Sequence, residues 1–324
     1  MVSESIINTS NIYFGLLLVI LITCELLYFF IARKLRIGDK VTSRSSPRKY
    51  KLTGGGIIFI IAVAFYYIWF KRPIDSLLIG SSILALISFI DDIKNISPTP
   101  RLFVHFIVVF YSFFYIINWG FIDIFIVVLI CGVGFINAYN FMDGINGITA
   151  GYSLVTLCSI LFYYSGLPSA PTTLILTLII ATLIFAFFNF RKNAVCFAGD
   201  VGSIVMGYLI LYLLIDLIWA TADPTCIIFL IVYGVDTVFT IIQRLFMGEN
   251  ILLPHRRHLY QVFANQWGFE HYTIALGYAM TQMGINVGYF IIPQDYRWTY
   301  MIFITIILSS IYFLAKRSTR SRQH

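Results

Sequence analysis

Long apolar runs alternate with short polar segments along the whole chain. A helix needs roughly 20 apolar residues to cross a bilayer. On this rule the pattern predicts eleven membrane-spanning helices, at about 12–32, 55–70, 75–90, 102–118, 121–137, 148–165, 171–189, 203–219, 225–242, 272–292 and 298–315. We therefore expect an all-α, polytopic integral membrane protein.

Composition agrees with this expectation. Hydrophobic residues make up 59% of the chain and charged residues 11%, whereas a soluble domain carries about 25% charged residues. The first apolar run is too long for a signal peptide and its basic cluster follows it, so it predicts a retained helix. We expect one transmembrane domain over 1–324, with a basic tail at 316–324.

Lysine and arginine lie almost entirely on one side of the predicted spans. If the spans alternate, one side collects 19 of the 22 basic residues, and the other holds only Lys71, Arg72 and Arg297. Basic loops face the cytoplasm, so the N-terminus is expected outside and the C-terminus in the cytoplasm. The net charge of +7 then reflects orientation and anionic lipid, with no nucleic-acid motif beside it.

The remaining polar clusters fall on the same predicted cytoplasmic side. Asp91 and Asp92 end the third span, where acidic groups oppose the helix macrodipole, which favours a functional role over a solvated helix end. Asn137, Asn140 and Asp143 lie three residues apart. They share one face if the fifth helix continues through them; the alternative is a polar turn.

Two further clusters complete this side. Asp200 stands beside Gly199, either as a helix cap or as a metal ligand whose glycine neighbour admits a diphosphate. His255, Arg256 and His258 lie in a long loop, either as a solvated surface or as groups that grip phosphate and sugar. Four carboxylates at one surface stay ionised most easily around a divalent cation, and oxygen ligands without cysteine suit Mg²⁺ or Mn²⁺.

In order along the chain, these motifs resemble the polyprenyl-phosphate N-acetylhexosamine-1-phosphate transferases of the MraY/WecA superfamily. The motifs are TGGGIIF at 53–59, DDIK at 91–94, NAYNFMDGINGI at 137–148, GDVGS at 199–203, DT at 236–237 with Arg244, and HRRHLYQ at 255–261. The resemblance implies a single transferase domain in the bacterial inner membrane. It also implies transfer of a sugar 1-phosphate from a UDP-N-acetylated amino sugar to undecaprenyl phosphate, with release of UMP.

The resemblance also implies roles for the residues. Asp200 becomes the Mg²⁺ ligand, and Asp91 or Asp92 deprotonates or orients the lipid phosphate. The other positions expected to contact nucleotide, diphosphate or sugar are Asn137, Asn140, Asp143, Gly199, His255, Arg256 and His258. A homodimer is left open.

The chain departs from the family pattern at Asn146, at Pro47 and at 50–56, where YKLTGGG replaces the PxPRGGG lead-in. Asn146 stands where many members have a second aspartate in DGxDG, and Pro47 replaces a histidine of the first basic loop. The HRRHLYQ loop lacks the histidine triplet of the peptidoglycan enzymes, which favours the branch that initiates surface glycans. The alternatives are a multispan lipid or ion transporter and an inactive member of the family.

Overall fold

A computed structural model of the protein describes residues 2–39, 51–94, 96–114, 116–117, 122–167, 170–251 and 255–320. Twelve α-helices lie in these ranges: α1 Val2–Leu35, α2 Ile57–Trp69, α3 Ser76–Lys94, α4 Pro98–Phe114, α5 Ile122–Met142, α6 Ile148–Tyr164, α7 Thr172–Asn189, α8 Gly199–Thr221, α9 Ile231–Phe246, α10 Leu259–Asn265, α11 His271–Ile291 and α12 Arg297–Arg320. Short 3-10 helices, Pro224–Leu230 and Gln294–Tyr296, precede α9 and α12.

Each predicted span coincides with one of these helices. Seven helical segments of the described ranges are long and apolar enough to cross a membrane, and three shorter apolar helices are α2, α4 and α6. A multi-pass, mainly helical membrane protein is therefore confirmed, whereas the number of spans stays a prediction. The short α10 lies within the predicted loop 243–271, where no helix was expected.

Helix α8 occupies the centre of the bundle. It packs against α3, α5, α6 and α2, and it is the most buried of the seven segments. A helix that is apolar all round is either buried in a protein core or covered by lipid, and α8 is covered mainly by its neighbours. By contrast, α12 is largely exposed, as expected of a helix that faces lipid. The first residues of α8 are consequently surrounded by other helix ends.

Helix α5 is longer than expected. The predicted fifth span stops at residue 137, but α5 continues to Met142. The continuation places Asn137 and Asn140 inside the helix, and Asp143 follows it directly. The condition for a shared face of polar side chains is therefore met up to the helix end, and the alternative of a simple turn is wrong for the two asparagines.

Two strand segments lie beside the start of α8. β1 (Gly38–Asp39) pairs antiparallel with β2 (Lys51–Leu52), and Leu52 also forms a bridge to Cys196. Within the described ranges, the all-α prediction therefore holds apart from the four strand residues and the bridge at Cys196. Pro47, with the neighbouring residues of the first basic loop, lies outside the described ranges.

A buried ion pair lies at the far end of the bundle from Asp200. Asp223, just after α8, accepts hydrogen bonds from Arg297, Tyr163 and Tyr289 at 2.6, 3.0 and 3.0 Å. Burial alone would raise the pKa of Asp223, but hydrogen bonds led by that from Thr225 lower it below its ordinary value. The sequence alone did not predict this ion pair, because its members come from separate segments of the chain.

Candidate active site

Three aspartates and one arginine meet at the N-terminus of α8. The Arg101 Nη1 atom lies 2.6 Å from Asp91 Oδ2 and 2.6 Å from Asp200 Oδ2. The Asp91 and Arg101 side chains are 8% and 13% exposed, and that of Asp200 is 26% exposed. One guanidinium therefore compensates two carboxylates, which lie on α3 and α8. The sequence alone assigned no role to Arg101.

Asp92 accepts hydrogen bonds from the backbone at the start of α8. Its Oδ1 accepts a hydrogen bond from the Asp200 N–H at 2.9 Å, and its Oδ2 accepts one from the Val201 N–H at 3.1 Å. These N–H groups have no partner within their own helix, and a carboxylate there also complements the helix dipole. Asp92 thus fixes the position of Asp200, and its two oxygens are both engaged.

Glycines allow the backbone segments around Asp200 to approach one another closely. Gly199 has φ +72°, and a Cβ there would lie 2.6 Å from Asp92 Oδ2 and from Gly54 N. A Cβ on Gly202 would lie 2.6 Å from the Cα of Gly56. The Gly55 and Gly56 N–H groups donate to the carbonyls at 197 and 198, at 2.9 and 3.0 Å. The GGG and GDVG motifs are therefore two halves of one packed unit.

The asparagines of α5 face different partners. Asn140 Oδ1 accepts a hydrogen bond from the Ser203 hydroxyl at 2.8 Å, which joins α5 to α8. Asn137 Nδ2 donates to the Val133 carbonyl at 2.8 Å and lies 3.2 Å from His105 Nδ1. Since both amide hydrogens are then used as donors, His105 Nδ1 accepts and its proton is on Nε2. His105 on α4 thus bonds to the neighbouring helix α5.

Asp143 lies directly after α5, close to these groups. Its Oδ1 accepts a hydrogen bond from the Thr149 hydroxyl at 2.5 Å. Burial raises the pKa of Asp143 to about 6; the bond from Thr149 opposes this shift and the charge of Asp92 adds to it. The Asp143 carboxyl therefore changes charge just below neutral pH, and the charge of the nearby Asp92 contributes to its raised pKa.

Asp236 anchors the HRRHLYQ loop. This buried carboxylate on α9 accepts hydrogen bonds from the Leu259 N–H and the Tyr278 hydroxyl, both at 2.8 Å. His258 Nδ1 lies 3.4 Å from Asp236 Oδ1. The Tyr260 hydroxyl donates to the Phe141 carbonyl at 2.8 Å, which places the loop against the end of α5. Asp236 and Tyr260 lay within quoted motifs, but their roles required the fold.

The basic residues of this loop differ in environment. Burial lowers the pKa of His255 to about 4, and the charges of His258 and Arg244 add to the shift. His255 is therefore neutral near pH 7. Arg256 is exposed. Arg244 donates to Glu249 and to the carbonyls of 250 and 251, which organises the turn after α9. Of the predicted trio, His255 and His258 lie together, with ring centroids 4.7 Å apart.

The donor set at Asp91 and Asp200 fits a magnesium ion of the kind that binds substrate phosphates. Mg²⁺ commonly uses one or two carboxylates and completes its shell with waters and phosphate oxygens. The two carboxylate oxygens face each other across a single Arg101 nitrogen, so a cation between them requires Arg101 to move aside. Within the described ranges, no group of three or more histidine, cysteine, aspartate or glutamate residues is arranged to hold a metal.

The fold and this site together define a class of protein: a helical membrane protein with an acidic, arginine-bridged site at one end of its bundle. Comparison with known proteins adds a partial match to a family. Residues 74–218, which are a little less than half of the chain, match glycosyl transferase family 4. This match supports the resemblance to the MraY/WecA superfamily.

Individual relatives agree with the family. The chain is 31% identical over 186 residues to a probable undecaprenyl-phosphate N-acetylglucosaminyl 1-phosphate transferase of Bacillus subtilis (strain 168), covering 55% of this chain and 51% of the relative. It is 30% identical over 197 residues to a phospho-N-acetylmuramoyl-pentapeptide-transferase of Dictyoglomus thermophilum, covering 53% and 62%. The alignment thus spans between half and two thirds of both relatives.

A longer alignment extends to another relative. Over 306 residues the chain is 25% identical to the undecaprenyl-phosphate alpha-N-acetylglucosaminyl 1-phosphate transferase of Escherichia coli (strain K12), covering 83% of this chain and 82% of the relative. This alignment is longer than the family match at 74–218.

Proposed function

We propose that the protein transfers an N-acetylhexosamine 1-phosphate from a UDP-sugar to undecaprenyl phosphate, forming undecaprenyl-diphosphate-sugar and UMP. The arginine-bridged carboxylates of Asp91 and Asp200 carry the proposal. Phosphoryl transfer needs positive charge beside a diphosphate and groups that hold the reactants in line. Here charge, carboxylates and glycine-lined backbone meet at one end of the bundle, which is where a lipid phosphate and a soluble nucleotide can meet.

In the proposed reaction, an oxygen of the lipid phosphate attacks the β-phosphorus of the UDP-sugar. The bond from that phosphorus to the bridging oxygen breaks, and UMP leaves with the bridging oxygen. Mg²⁺ held by Asp91 and Asp200 would supply positive charge to the diphosphate oxygens. Arg101, released from the carboxylates, provides a second cation at the same place. Asp91 is the better candidate to meet the lipid phosphate, because release of Arg101 frees its Oδ2 while its Oδ1 stays bound to the Ile96 N–H. Both oxygens of Asp92 hold the backbone of α8.

The remaining site residues are assigned to the nucleotide and the sugar. Asn137, Asn140 and Asp143 line the end of α5 and are proposed to position the UDP moiety. His255 is neutral, so it contributes hydrogen bonds, whereas Arg256 contributes exposed charge. His258 lies beside buried Asp236 and orients the loop against the diphosphate. UDP-N-acetylglucosamine is the first donor to test, since two relatives are named for that sugar.

The reaction is tested with purified protein, undecaprenyl phosphate, Mg²⁺ and a panel of UDP-N-acetylhexosamines. We expect release of UMP with at least one donor, and a loss of at least 100-fold in turnover for Asp200→Asn. Asp295→Asn is the matched control, because this aspartate is exposed beside the other end of the bundle. If no donor yields UMP, the transferase proposal is wrong.

We further propose that the site faces the cytoplasm of a bacterium, with the N-terminus outside the cytoplasmic membrane. The charge bias of the loops supports this orientation. In a background without the native cysteines, Ser165→Cys should react with a membrane-impermeant maleimide added outside intact cells. Asn265→Cys, on α10, should react only after the cells are opened. The reverse pattern would overturn the orientation.

A further inference from the structure

Asn146 connects the loop after α5 to the segment before α8. Its Nδ2 donates to the carbonyls of Arg191 and Lys192, at 3.1 and 3.2 Å. The residue is 1% exposed, and its Oδ1 is buried without a hydrogen-bond partner among the described residues. Two carbonyl oxygens face this side chain, so the position requires hydrogen-bond donors. An aspartate there would place a buried carboxylate against two acceptors.

Asn189 makes a second connection between the same two segments. Its Oδ1 accepts a hydrogen bond from the Gly147 N–H at 2.8 Å, and its Nδ2 donates to the Cys196 carbonyl at 2.9 Å. Gly147 has φ +86°, and a Cβ there would lie 2.5 Å from the Phe190 ring. Both segments are therefore held close by packing as well as by amide hydrogen bonds.

The two connected segments carry aspartates of the proposed site. Asp143 lies three residues before Asn146, and Asp200 lies four residues after Cys196. From Cys196 the chain continues into the backbone hydrogen bonds with the glycine motif, in which Phe197 N–H donates to the Leu52 carbonyl at 2.8 Å. A shift of residues 191–196 relative to Asn146 would consequently change the separation of Asp143 and Asp200.

We propose that Asn146 is a positioning residue: its amide, together with that of Asn189, sets the spacing between the Asp143 loop and the Asp200 loop. Residue 146 therefore needs a side chain that donates hydrogen bonds, and it contributes no carboxylate to the acidic site. The inference rests on the proposed transferase function for its effect on turnover. The departure from DGxDG is then a change of role at this position and is compatible with an active enzyme.

The charged side chains near Asn146 do not replace the two hydrogen bonds that its Nδ2 donates. Asp143 lies on the same loop, and Cys196 lies on the facing segment. The Arg191 guanidinium packs on the Phe187 ring, with its carbon 4.6 Å from the ring centroid. Lys192 pairs with Glu270 at 2.8 Å. Both cations thus turn toward other partners, and a carboxylate at 146 would meet the two backbone carbonyls.

The test compares Asn146→Asp with Asn193→Asp, the same chemical change at an exposed position of the same segment. At pH 8 we expect Asn146→Asp to lower UMP release at least tenfold with little change in the KM for the UDP-sugar. The ratio of variant to wild-type turnover should rise several-fold between pH 8 and pH 6, because a protonated carboxyl donates one of the lost hydrogen bonds. Asn193→Asp should stay within twofold of wild type.

Amide hydrogen exchange provides a second readout that needs no turnover. Exchange at 143–148 and 189–198 should accelerate in Asn146→Asp and Asn146→Ala, and remain unchanged in Asn193→Asp. If the wild type releases no UMP but exchange changes as stated, the transferase proposal fails and the amide connection stands. Normal turnover of Asn146→Asp at pH 8, or unchanged exchange in both segments, would overturn the positioning role.

Discussion

The guanidinium of Arg101 on α4 lies 2.6 Å from the carboxylate of Asp200 on α8. The same nitrogen lies 2.6 Å from Asp91 on α3, so three helices meet at one cation. Removing one partner of a buried ion pair commonly costs about 3–5 kcal/mol, because the other charge is left uncompensated. Asp200 retains partial exposure, so the lower part of that range applies here.

Arg101→Met should therefore lower the free energy of unfolding by about 3 kcal/mol. Added Mg²⁺ should restore part of the lost unfolding temperature, because a divalent cation can take the place of the guanidinium between Asp91 and Asp200. Thermal unfolding in detergent, with and without Mg²⁺, measures both effects. Lys94→Met, at an exposed position of α3, is the control. If Mg²⁺ does not change the unfolding temperature of Arg101→Met, the metal site formed by the two carboxylates is wrong.

Gly202→Ala should destabilise the protein although alanine favours helix formation. A Cβ at this position would lie 2.6 Å from the Gly56 Cα, and overpacking of this kind typically costs about 1–3 kcal/mol. Gly134→Ala in α5 is the matched control, because a Cβ there meets nothing within 4 Å. The two unfolding temperatures should move in opposite directions. A shared direction would contradict the close packing of the GGG and GDVG motifs.

Asp143→Asn should change the pH dependence of stability. The pKa of Asp143 in the folded protein is raised from 3.8 to about 6, so the folded state keeps a proton that the unfolded state loses first. Stability from this group is present below pH 3.8 and is lost as the pH rises toward 6. Asp143→Asn lacks this loss of stability. Its unfolding temperature, relative to that of the wild type, should therefore rise between pH 4 and pH 7. A constant difference across that range would disprove the assignment.

Arg297→Met should destabilise the bundle at the end away from the proposed site. The side chains of Arg297 and Asp223 are 15% and 6% exposed, and loss of the arginine leaves Asp223 buried without its cation. We expect a loss of about 3 kcal/mol in the free energy of unfolding, while UMP release below the unfolding temperature stays within twofold of wild type. Arg72→Met, at an exposed position, should have little effect on either measurement.

The sequence was sufficient for the long apolar helices because their signal is local. Lipid accepts apolar surface wherever it is continuous, so a run of about 20 apolar residues predicts a helix without knowledge of its neighbours. The clusters around Asp91, Asn140 and Asp200 were likewise recognised from residue type and spacing. Helix α5 ended later than its apolar run because Asn137 and Asn140 find partners on α4 and α8.

Only the tertiary structure determined which partner each polar residue contacts. Asp91 and Asp92 are adjacent in sequence, yet one meets Arg101 and the other holds the N-terminus of α8. Asn146 appeared as a departure from a motif until two carbonyls of another segment were found opposite its amide. Composition and periodicity predict which segments form apolar helices, since each segment interacts with lipid independently. Partners for buried polar groups come from distant segments, and only the packed helices determine which ones meet.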